Sequence, residues 1–203
     1  MSRNQREGLR KAIVEVSIRI GSELGEDGLT MRGIASRLSV SATALYQHFE
    51  SKSAILREIR LYSSRLMQRD VMEACTSIEK PRERIEAMAH RYIVFARTHP
   101  WLYSVLTETK GVEWQDMTPE EVSEVVRPLS NLRAWIKEGC DRGAWRSDID
   151  ADMESIRLWA ALHGMCSMMN SGRIDENHPA FPITDQHGFV SRFVRSVVGT
   201  LVH

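Results

Sequence analysis

A short segment that begins after Ser41 carries the side chains with the most suggestive chemistry in this sequence. If it is helical, its outward side combines small and hydrogen-bonding residues: Ala42, Thr43, Tyr46 and Gln47, with Ala44 and His48 at the margins. Hydroxyl, amide and imidazole groups can both donate and accept hydrogen bonds. Such side chains on an exposed helix face are suited to pairing with base edges in a DNA major groove.

Two short helices joined by a tight turn are predicted to present this face. Thr30 and Ser41 each precede an apolar-periodic stretch, and their hydroxyls are suited to cap the helix that follows. Residues 39–41 form the turn. The inward sides of the two helices are apolar: Ile34, Leu38, Leu45 and Phe49. The pattern predicts a helix-turn-helix whose second helix can enter a major groove.

A longer pattern of residue types runs through the same segment: Ile34-Ala35-(x)2-Leu38-(x)-Val40-Ser41-(x)3-Leu45-Tyr46-(x)-His48-Phe49-(x)2-Lys52. This pattern resembles the DNA-binding signature of the tetracycline-repressor (TetR/AcrR) family of bacterial transcriptional regulators. The family usually has glycine at the position of Ser39. Glycine suits a left-handed turn, which serine adopts only at some energetic cost.

The resemblance implies which side chains meet DNA. It places Arg32 and four residues of the second helix at DNA-facing positions: Thr43, Tyr46, Gln47 and His48. Arg32 can fork onto a guanine edge and Gln47 can contact adenine, whereas Ala42 and Ala44 can only touch a thymine methyl group. Phosphate contacts are expected from a second set: Thr30, Ser41, Tyr46, His48 and Lys52. Two alternatives stay open. His48 could be a packed or capping residue instead of a DNA contact, and Arg3 and Arg6 could belong to a DNA-contacting arm or to a disordered tail.

Charge is balanced overall but unevenly spread. The 203 residues include 27 Lys and Arg against 27 Asp and Glu, yet residues 1–60 carry ten basic against seven acidic side chains. This net +3 has the sign expected of a region that meets phosphates, although chance surface composition would give the same. No apolar run approaches the roughly 18 residues of a membrane span, and the N-terminus lacks a signal-peptide pattern.

The three cysteines bear on the compartment and on bound groups. Cys75, Cys140 and Cys166 are odd in number and widely spaced. That spacing argues against a disulfide framework or a zinc site and favours a reducing cytoplasm. We expect no metal and no cofactor.

Apolar residues recur at helical spacing along almost the whole chain, in about nine segments separated by turn residues. No stretch reads as a convincing strand, so the predicted fold class is all-α. Helix starts are marked by several signals: Ser51, Pro81, the capping box Thr118-Pro119-Glu120-Glu121, and Thr184. We expect a three-helix DNA-binding domain over residues 1–52. The resemblance implies a ligand-sensing and dimerisation bundle over residues 53–203.

The last helix has an apolar face wider than one neighbour would cover, since Phe189, Phe193, Val197 and Leu201 lie beside Val190, Val194, Val198 and Val202. The helix before it carries small residues that permit close approach: Ala160, Ala161 and Gly164. Trp159-(x)3-His163-Gly164 and His99-Pro100-Trp101-Leu102-Tyr103 resemble the tryptophan-histidine-glycine subgroup of the family. The resemblance implies a homodimer through these two helices, with an interface that includes Ala160, Gly164, Phe189, Phe193, Val194, Val197 and Leu201. The alternative is that the wide face only closes the chain's own core.

The resemblance also implies a small apolar or aromatic effector in the second domain. Many aromatic and methionine residues could enclose a pocket there, or simply form the core: Trp101, Tyr103, Trp114, Met117, Trp145, Trp159, Met165 and Met168. The family's usual pocket favours four residues: Tyr92, Phe95, Trp135 and His163. The effector would bind the form whose recognition helices no longer match successive major grooves. Repression is the family default, and activation stays open.

Enzyme chemistry is not indicated, because the sequence has no G-x-S-x-G, no H-E-x-x-H and no glycine-rich phosphate loop. Asp148, Asp150 and Asp152 are better interpreted as a helix start than as a cation site. Two alternatives to a ligand-responsive regulator remain. One is a helical protein-interaction adaptor that keeps the helix-turn-helix only as a packing unit. The other is an architectural DNA-binding protein without ligand sensing.

Overall fold

Nine α-helices account for most of the computed structural model, which describes residues 3–108, 114–180 and 182–202, without the side chains of residues 3–5. They are α1 Arg3–Gly28, α2 Met31–Leu38, α3 Ala42–Tyr46, α4 Lys52–Met67, α5 Pro81–Thr98, α6 Pro100–Thr107, α7 Pro119–Asp141, α8 Ala151–Asn170 and α9 Gln186–Gly199. A π-helical turn and a 3-10 turn follow α4, at Gln68–Met72 and Glu73–Cys75. The described ranges contain no strand, so the all-α prediction is confirmed. None of their helices is both long and apolar enough to cross a bilayer.

The first of two compact units combines Met1–Ser64 with Pro100–Val125. In this unit α1 packs against α2 and α6, and α2 packs against α3. Its fully buried side chains come from five helices and one loop: Ile13, Leu29, Ile34, Leu45, Ile55, Leu56, Ile59 and Tyr103. The unit therefore differs from the predicted 1–52 domain, because α4 and α6 bury their side chains with those of α1 to α3.

Gly21 of α1 lies at a close approach to α6 in the first unit. A Cβ atom placed on Gly21 would lie 2.1 Å from Cζ2 of Trp101 on α6, far inside van der Waals contact. Only glycine leaves room for the indole ring at this point. Trp101 is therefore a packing residue of the first unit, and Tyr103 and Met117 are buried in the same unit. These three residues were candidates for the pocket of the second domain, and the structure corrects that expectation.

Several predicted helix boundaries are confirmed by backbone geometry and capping. The backbone of α1 leaves helical geometry at Gly25, with φ of 71°. Ser51 Oγ accepts a hydrogen bond from the N–H of Ala54 at 3.1 Å and so caps α4. Thr118 and Glu121 form the predicted capping box before α7, with the N–H of Thr118 donating to Glu121 Oε2 at 2.9 Å and the N–H of Glu121 donating back to Thr118 Oγ1 at 3.3 Å.

The predicted cap of the last helix is wrong by one residue. Asp185, not Thr184, precedes α9, and its Oδ1 accepts a hydrogen bond from the N–H of Gly188 at 2.8 Å. A carboxylate is also favoured at this end of a helix by the helix dipole. A Cβ on Gly188 would lie 1.9 Å from Oδ2 of Asp185, so glycine allows the carboxylate to fold over the first turn.

A proline inside α7 is accommodated by a side chain of α4. Pro128 has no N–H, so the carbonyl of Glu124 four residues earlier lacks its helical partner. The hydroxyl of Ser64 donates to that carbonyl at 2.7 Å, and Ser64 is fully buried. This bond stabilises α7 at its weakest point because a buried carbonyl without a partner is costly.

The second unit combines Arg65–His99 with Val126–His203, and in it α5 packs against both α8 and α9. Its core includes buried apolar side chains of these helices and of α7, together with Leu201 just after α9: Ile85, Met88, Ala96, Ile136, Leu158, Leu162, Val194, Val198 and Leu201. Trp145 is also buried and donates from Nε1 to the carbonyl of Ile136 at 2.9 Å. The second unit therefore has its own core, separate from the helix-turn-helix.

The three aspartates Asp148, Asp150 and Asp152 lie around the start of α8, and the last of them is inside the helix. Asp150 Oδ1 accepts hydrogen bonds from the N–H groups of Asp152 and Met153, at 2.8 and 3.2 Å, and so caps the helix. Asp152 forms a two-pronged ion pair with Arg133, whose hydrogen bond lowers the pKa of that carboxyl. These contacts support the interpretation of the cluster as a helix start. The described residues contain no group of three or more His, Cys, Asp or Glu suited to hold a metal ion.

Candidate DNA-binding surface

Both helices of the helix-turn-helix begin with the predicted hydroxyl caps. Thr30 Oγ1 accepts a hydrogen bond from the N–H of Gly33 at 3.0 Å, which starts α2. Ser41 Oγ accepts one from the N–H of Ala44 at 3.1 Å, which starts α3. Each hydroxyl accepts in its capping bond and still has a proton to donate. Both residues are exposed, so that proton is available to a phosphate oxygen.

The turn between the two helices depends on an unusual serine conformation. Ser39 has φ of 55° and ψ of 38°, the left-handed region that glycine adopts without strain. Its N–H donates to the carbonyl of Ser36, and the N–H of Val40 donates to the carbonyl of Ala35, both at 3.1 Å. These two bonds are those of a Schellman motif. The turn is therefore formed as in a glycine-containing sequence, although the serine side chain adds strain.

Replacing Ser39 by glycine is expected to stabilise the protein. The left-handed conformation costs a residue with a Cβ roughly 1–2 kcal/mol, and the extra flexibility of glycine when unfolded offsets part of the gain. We expect Ser39→Gly to raise the free energy of unfolding by about 0.5–1 kcal/mol, measured by urea denaturation. Ser36→Gly, at an exposed position inside α2, is the control and should destabilise by about the same amount. Equal effects of the two substitutions would contradict the interpretation.

The inward sides of the two helices are buried as predicted. Ile34 and Leu45 are fully buried, Phe49 is almost so, and Leu38 is half-buried. Regular α-helix ends at Tyr46, so α3 contains only five residues before the chain turns. Phe49 still follows helical geometry closely enough for its N–H to reach the carbonyl of Leu45 at 3.1 Å. The recognition segment is therefore short, and the core holds it through Leu45 and Phe49.

The outward side of α3 presents the predicted residues to solvent. Tyr46 is 53% exposed, which is high for an aromatic residue in a folded unit. Thr43, Gln47 and the small Ala42 are exposed beside it, whereas Ala44 and His48 are half-buried at the margins. The structure thus brings these side chains together on α3 and on the turn that directly follows it.

Arg32 adds a positive charge near the start of α2. It is exposed, and no partner for its guanidinium occurs among the residues that the structure describes. By contrast Arg37, later in the same helix, forms an ion pair with Glu23 at 2.9 Å. Arg6 is exposed within α1, so it lies on a helix rather than in a flexible arm, and the side chain of Arg3 is outside the described part.

Lys52 is engaged within the unit. Its Nζ donates to the carbonyl of Glu26 at 2.6 Å, and the residue is half-buried. The ammonium group thereby ties the start of α4 to the part of α1 that follows its kink at Gly25. A phosphate contact by Lys52 would require an exposed ammonium group. In the structure this group instead donates a hydrogen bond inside the unit.

The four residues predicted to line an effector pocket have unlike environments in the second unit. Tyr92 and Phe95 of α5 are buried. Trp135 is half-buried and lies 5.5 Å below the guanidinium of Arg84. His163 is half-buried beside Trp159, with ring centroids 6.0 Å apart. A groove of about 520 Å³ in this unit is lined by other residues, namely His90, Ile93, Val94, Arg97, Met169, Gln186, His187, Val190 and Ser191.

Arg84 explains why Trp135 is held in place. It is a buried arginine that donates to the carbonyl of Ile78 at 2.7 Å and to Glu138 Oε2 at 2.6 Å. The hydrogen bond from Arg84, followed by one from Arg142, lowers the pKa of Glu138. Sequence patterns did not indicate this network, since its partners lie on different helices.

An exposed apolar stripe runs along α8. Met153 is 64% exposed and Ile156 is 53% exposed, and the small Ala160 and half-buried Gly164 continue the stripe at helical spacing. Phe189, Phe193 and Val197 of α9 are half-buried. Val194 and Leu201 are fully buried inside the unit, which corrects their assignment to a subunit interface. The sequence prediction did not include Met153 and Ile156, although Ile156 lies four residues before Ala160 and Met153 lies three residues before Ile156.

Comparison with known proteins gives a consistent result. The uncharacterized HTH-type transcriptional regulator Rv0681 of Mycobacterium tuberculosis is 26% identical over 174 residues, which cover 82% of this chain and 72% of the relative. A bacterial regulatory protein in the tetR family from Rhodococcus superposes with a TM-score of 0.69 at 16% identity, covering 95% of this chain and 96% of that one. AibR, solved in complex with isovaleryl coenzyme A and operator DNA, gives a TM-score of 0.65 at 18% identity, with 95% and 97% covered.

Two family models match separate parts of the chain. Residues 13–59, which contain the helix-turn-helix, match the model described as bacterial regulatory proteins, tetR family. Residues 85–192, more than half of the chain, match the model described as tetracyclin repressor-like, C-terminal domain. The chain therefore belongs to the tetR family of bacterial transcriptional regulators.

Proposed function

We propose that the first unit binds operator DNA with α3 in the major groove and that the second unit supplies a dimer contact and an effector site. Tetracycline-repressor family regulators bind operator DNA and respond to ligands, and the protein is one of them. The observation that carries the specific proposal is the exposed face of α3 together with the exposed Arg32 of α2, whose guanidinium has no partner among the described residues. Arg32 can donate two parallel hydrogen bonds to guanine O6 and N7, and Gln47 can pair with adenine.

Phosphate contacts are proposed at the two helix starts. Thr30 and Ser41 are exposed at the N-termini of α2 and α3, where free N–H groups and the helix dipole favour an anion. Tyr46 and His48 flank the reading residues and can donate to the backbone on either side. We propose a supporting role for Lys52, through its bond to the carbonyl of Glu26.

A homodimer is proposed to form through α8 and α9. Met153 and Ile156 expose apolar surface to water, which is unfavourable in free energy. Burial of these side chains against a second copy of the chain would remove that cost. Ala160 and Gly164 would allow close helix contact, with Phe189, Phe193 and Val197 at the side. Two-fold symmetry would place two copies of α3 on half-sites one helical turn apart.

An apolar or aromatic small molecule is proposed as the effector. The solved structure of AibR holds isovaleryl coenzyme A together with operator DNA. In this chain Trp135 and His163 are the half-buried candidates for a ligand contact, and Tyr92 and Phe95 would form an inner wall. The tryptophan-histidine-glycine subgroup stays a prediction. We propose repression as the outcome of operator binding, because a bound dimer blocks polymerase, and the cytoplasm as the location.

Arg32→Ala tests the reading of DNA by this surface. The operator is first selected from a random duplex pool with the purified protein, and affinities are then measured by fluorescence anisotropy. We expect the variant to lose discrimination at one base pair, worth about 1–3 kcal/mol, while random duplex binds almost as before. Arg19→Ala is the matched control, because Arg19 is another exposed arginine of the same unit without a partner in its described part.

Equal losses for Arg32→Ala and Arg19→Ala at every sequence would contradict the base contact. Binding of random and selected duplex with equal affinity by the native protein would contradict sequence-specific reading, and absence of binding to either duplex would favour the protein-interaction adaptor. Specific binding that no small molecule alters would favour an architectural protein. A ligand-dependent change in operator affinity distinguishes the regulator from both.

A further inference from the structure

Arg10 of α1 makes three contacts around the end of the recognition helix. Its Nη1 donates to the carbonyl of His48 at 3.1 Å, and its Nη2 donates to Glu58 Oε2 on α4 at 2.6 Å. The centre of its guanidinium lies 4.2 Å from the centroid of the Phe49 ring. One side chain thus joins α1, the turn after α3 and the second turn of α4.

These contacts matter because α3 cannot set its own orientation. A helix of five residues is far shorter than the length at which helices are stable alone, so its direction depends on tertiary contacts. Leu45 and Phe49 anchor its inward side in the core. The carbonyls at the end of a helix carry partial negative charge and lack helical partners. The positive guanidinium of Arg10 donates to the carbonyl of His48, in the turn directly after α3, and so adds positive charge beside this end of the helix.

The geometry also places Arg10 beside the residues that face DNA. It lines a cleft of about 400 Å³ together with Tyr46, Gln47 and His48. A shift in the His48 carbonyl would therefore move the adjoining Gln47 side chain relative to a base edge. Arg10 is 46% exposed, but Glu58 and the ring of Phe49 hold it from two directions.

We infer that Arg10 is a positioning residue that fixes the end of α3 and thereby sets operator specificity without itself contacting DNA. This inference rests on the proposed role of α3 as the reading helix. A positioning residue and a phosphate contact have different consequences. Loss of a phosphate contact weakens all duplexes and reduces the salt dependence of binding, whereas misplacement of α3 weakens the operator selectively.

Arg10→Met tests the inference in the full-length protein, because methionine keeps much of the apolar stem and removes the charge and the donors. Lys11→Met is the matched control, since Lys11 is the adjacent cation, is 79% exposed and pairs only weakly with Glu15. Two readouts are needed. One is affinity for the selected operator and for random duplex across a salt series. The other is amide hydrogen exchange over residues 31–38 and 42–49.

We expect Arg10→Met to raise the operator Kd about tenfold, the scale of one charge-assisted hydrogen bond, relative to Lys11→Met. Random-duplex affinity and the salt slope should equal those of the control. Exchange should accelerate over residues 42–49 and stay unchanged over 31–38. Arg10→Lys keeps the charge and one donor, so it should restore part of the affinity.

Four results would overturn the inference. Unchanged exchange and operator affinity would make Arg10 an ordinary surface charge. Equal losses on both duplexes with a shallower salt slope would make it a phosphate contact. Faster exchange over both segments would make it a general stabiliser of the unit. Faster exchange confined to residues 42–49 with full operator affinity would overturn the proposed function as well, because α3 would then not be the reading helix.

Discussion

Ile156→Glu is expected to separate the dimer into monomers and to abolish tight operator binding. Ile156 is 53% exposed in the protomer, so glutamate there should leave the fold of the chain intact. In a dimer joined through α8 and α9, two carboxylates would be buried in an apolar contact. An uncompensated buried charge costs about 3–5 kcal/mol, which weakens association by roughly a hundredfold or more.

Sedimentation velocity at micromolar concentration measures this change directly. Val94→Glu is the control, because Val94 is 62% exposed in the same unit but lies on α5. Gly164→Leu gives an independent check. Outside the residue's own stretch of helix, no described atom of the protomer lies within 4 Å of a Cβ at Gly164. Any loss of dimer must therefore come from a clash with the partner. A dimer that survives both α8 substitutions would contradict the proposed interface.

Gly21→Ala is expected to destabilise the first unit more than any other substitution that adds a single methyl group. The added Cβ would lie within 2.1–2.4 Å of three ring atoms of Trp101, so α6 or the indole must move. Overpacking of this kind typically costs 1–3 kcal/mol, and here the displaced group is a rigid ring held between helices. We expect a loss of about 3 kcal/mol and a fall in Tm of roughly 10 °C or more.

Gly8→Ala provides the matched control for that experiment. Gly8→Ala makes the same chemical change in the same helix. Outside the residue's own stretch of helix, however, no described atom lies within 4 Å of the new methyl group. It should therefore stabilise the protein by about 0.5–1 kcal/mol, because alanine favours helix more than glycine does. Calorimetry measures the Tm of both variants. Equal Tm values for Gly21→Ala and Gly8→Ala would contradict the close approach of α1 and α6.

Features with local causes could be predicted from the sequence. Thr30 and Ser41 cap their helices because a hydroxyl reaches an N–H only three residues away. Thr118 and Glu121 form their capping box for the same reason. The burial of Ile34 and Leu45 follows from helical spacing alone. The helix-turn-helix was therefore predictable in detail, down to its two caps.

Features that depend on contacts between distant segments could not be predicted. Nothing near Pro128 in the sequence indicates that the hydroxyl of Ser64 donates a hydrogen bond to the carbonyl of Glu124. Trp101 belongs to the first unit because of Gly21, eighty residues earlier. The apolar rows of α9 look alike in sequence, yet Val194 is fully buried whereas Phe193 is half-buried, because packing against α5 decides which row faces inward.

The cap of α9 shows a smaller failure with a simple cause. Thr184 and Asp185 are adjacent, and either side chain could in principle accept a hydrogen bond at a helix start. The carboxylate is the better acceptor beside the helix dipole, and Gly188 leaves space for it. Both residues are of the N-cap type, so residue type alone does not decide between them.

Selection of operator DNA from a random duplex pool, with the stoichiometry of the selected complex measured by sedimentation, tests sequence-specific binding by a symmetric dimer most directly. We predict enrichment of an inverted repeat whose half-sites are centred one helical turn, or a multiple of it, apart, with two chains on each symmetric site. Enrichment of a single asymmetric half-site bound by one chain would contradict the dimer. Absence of any enriched sequence would contradict base reading by Arg32 and α3.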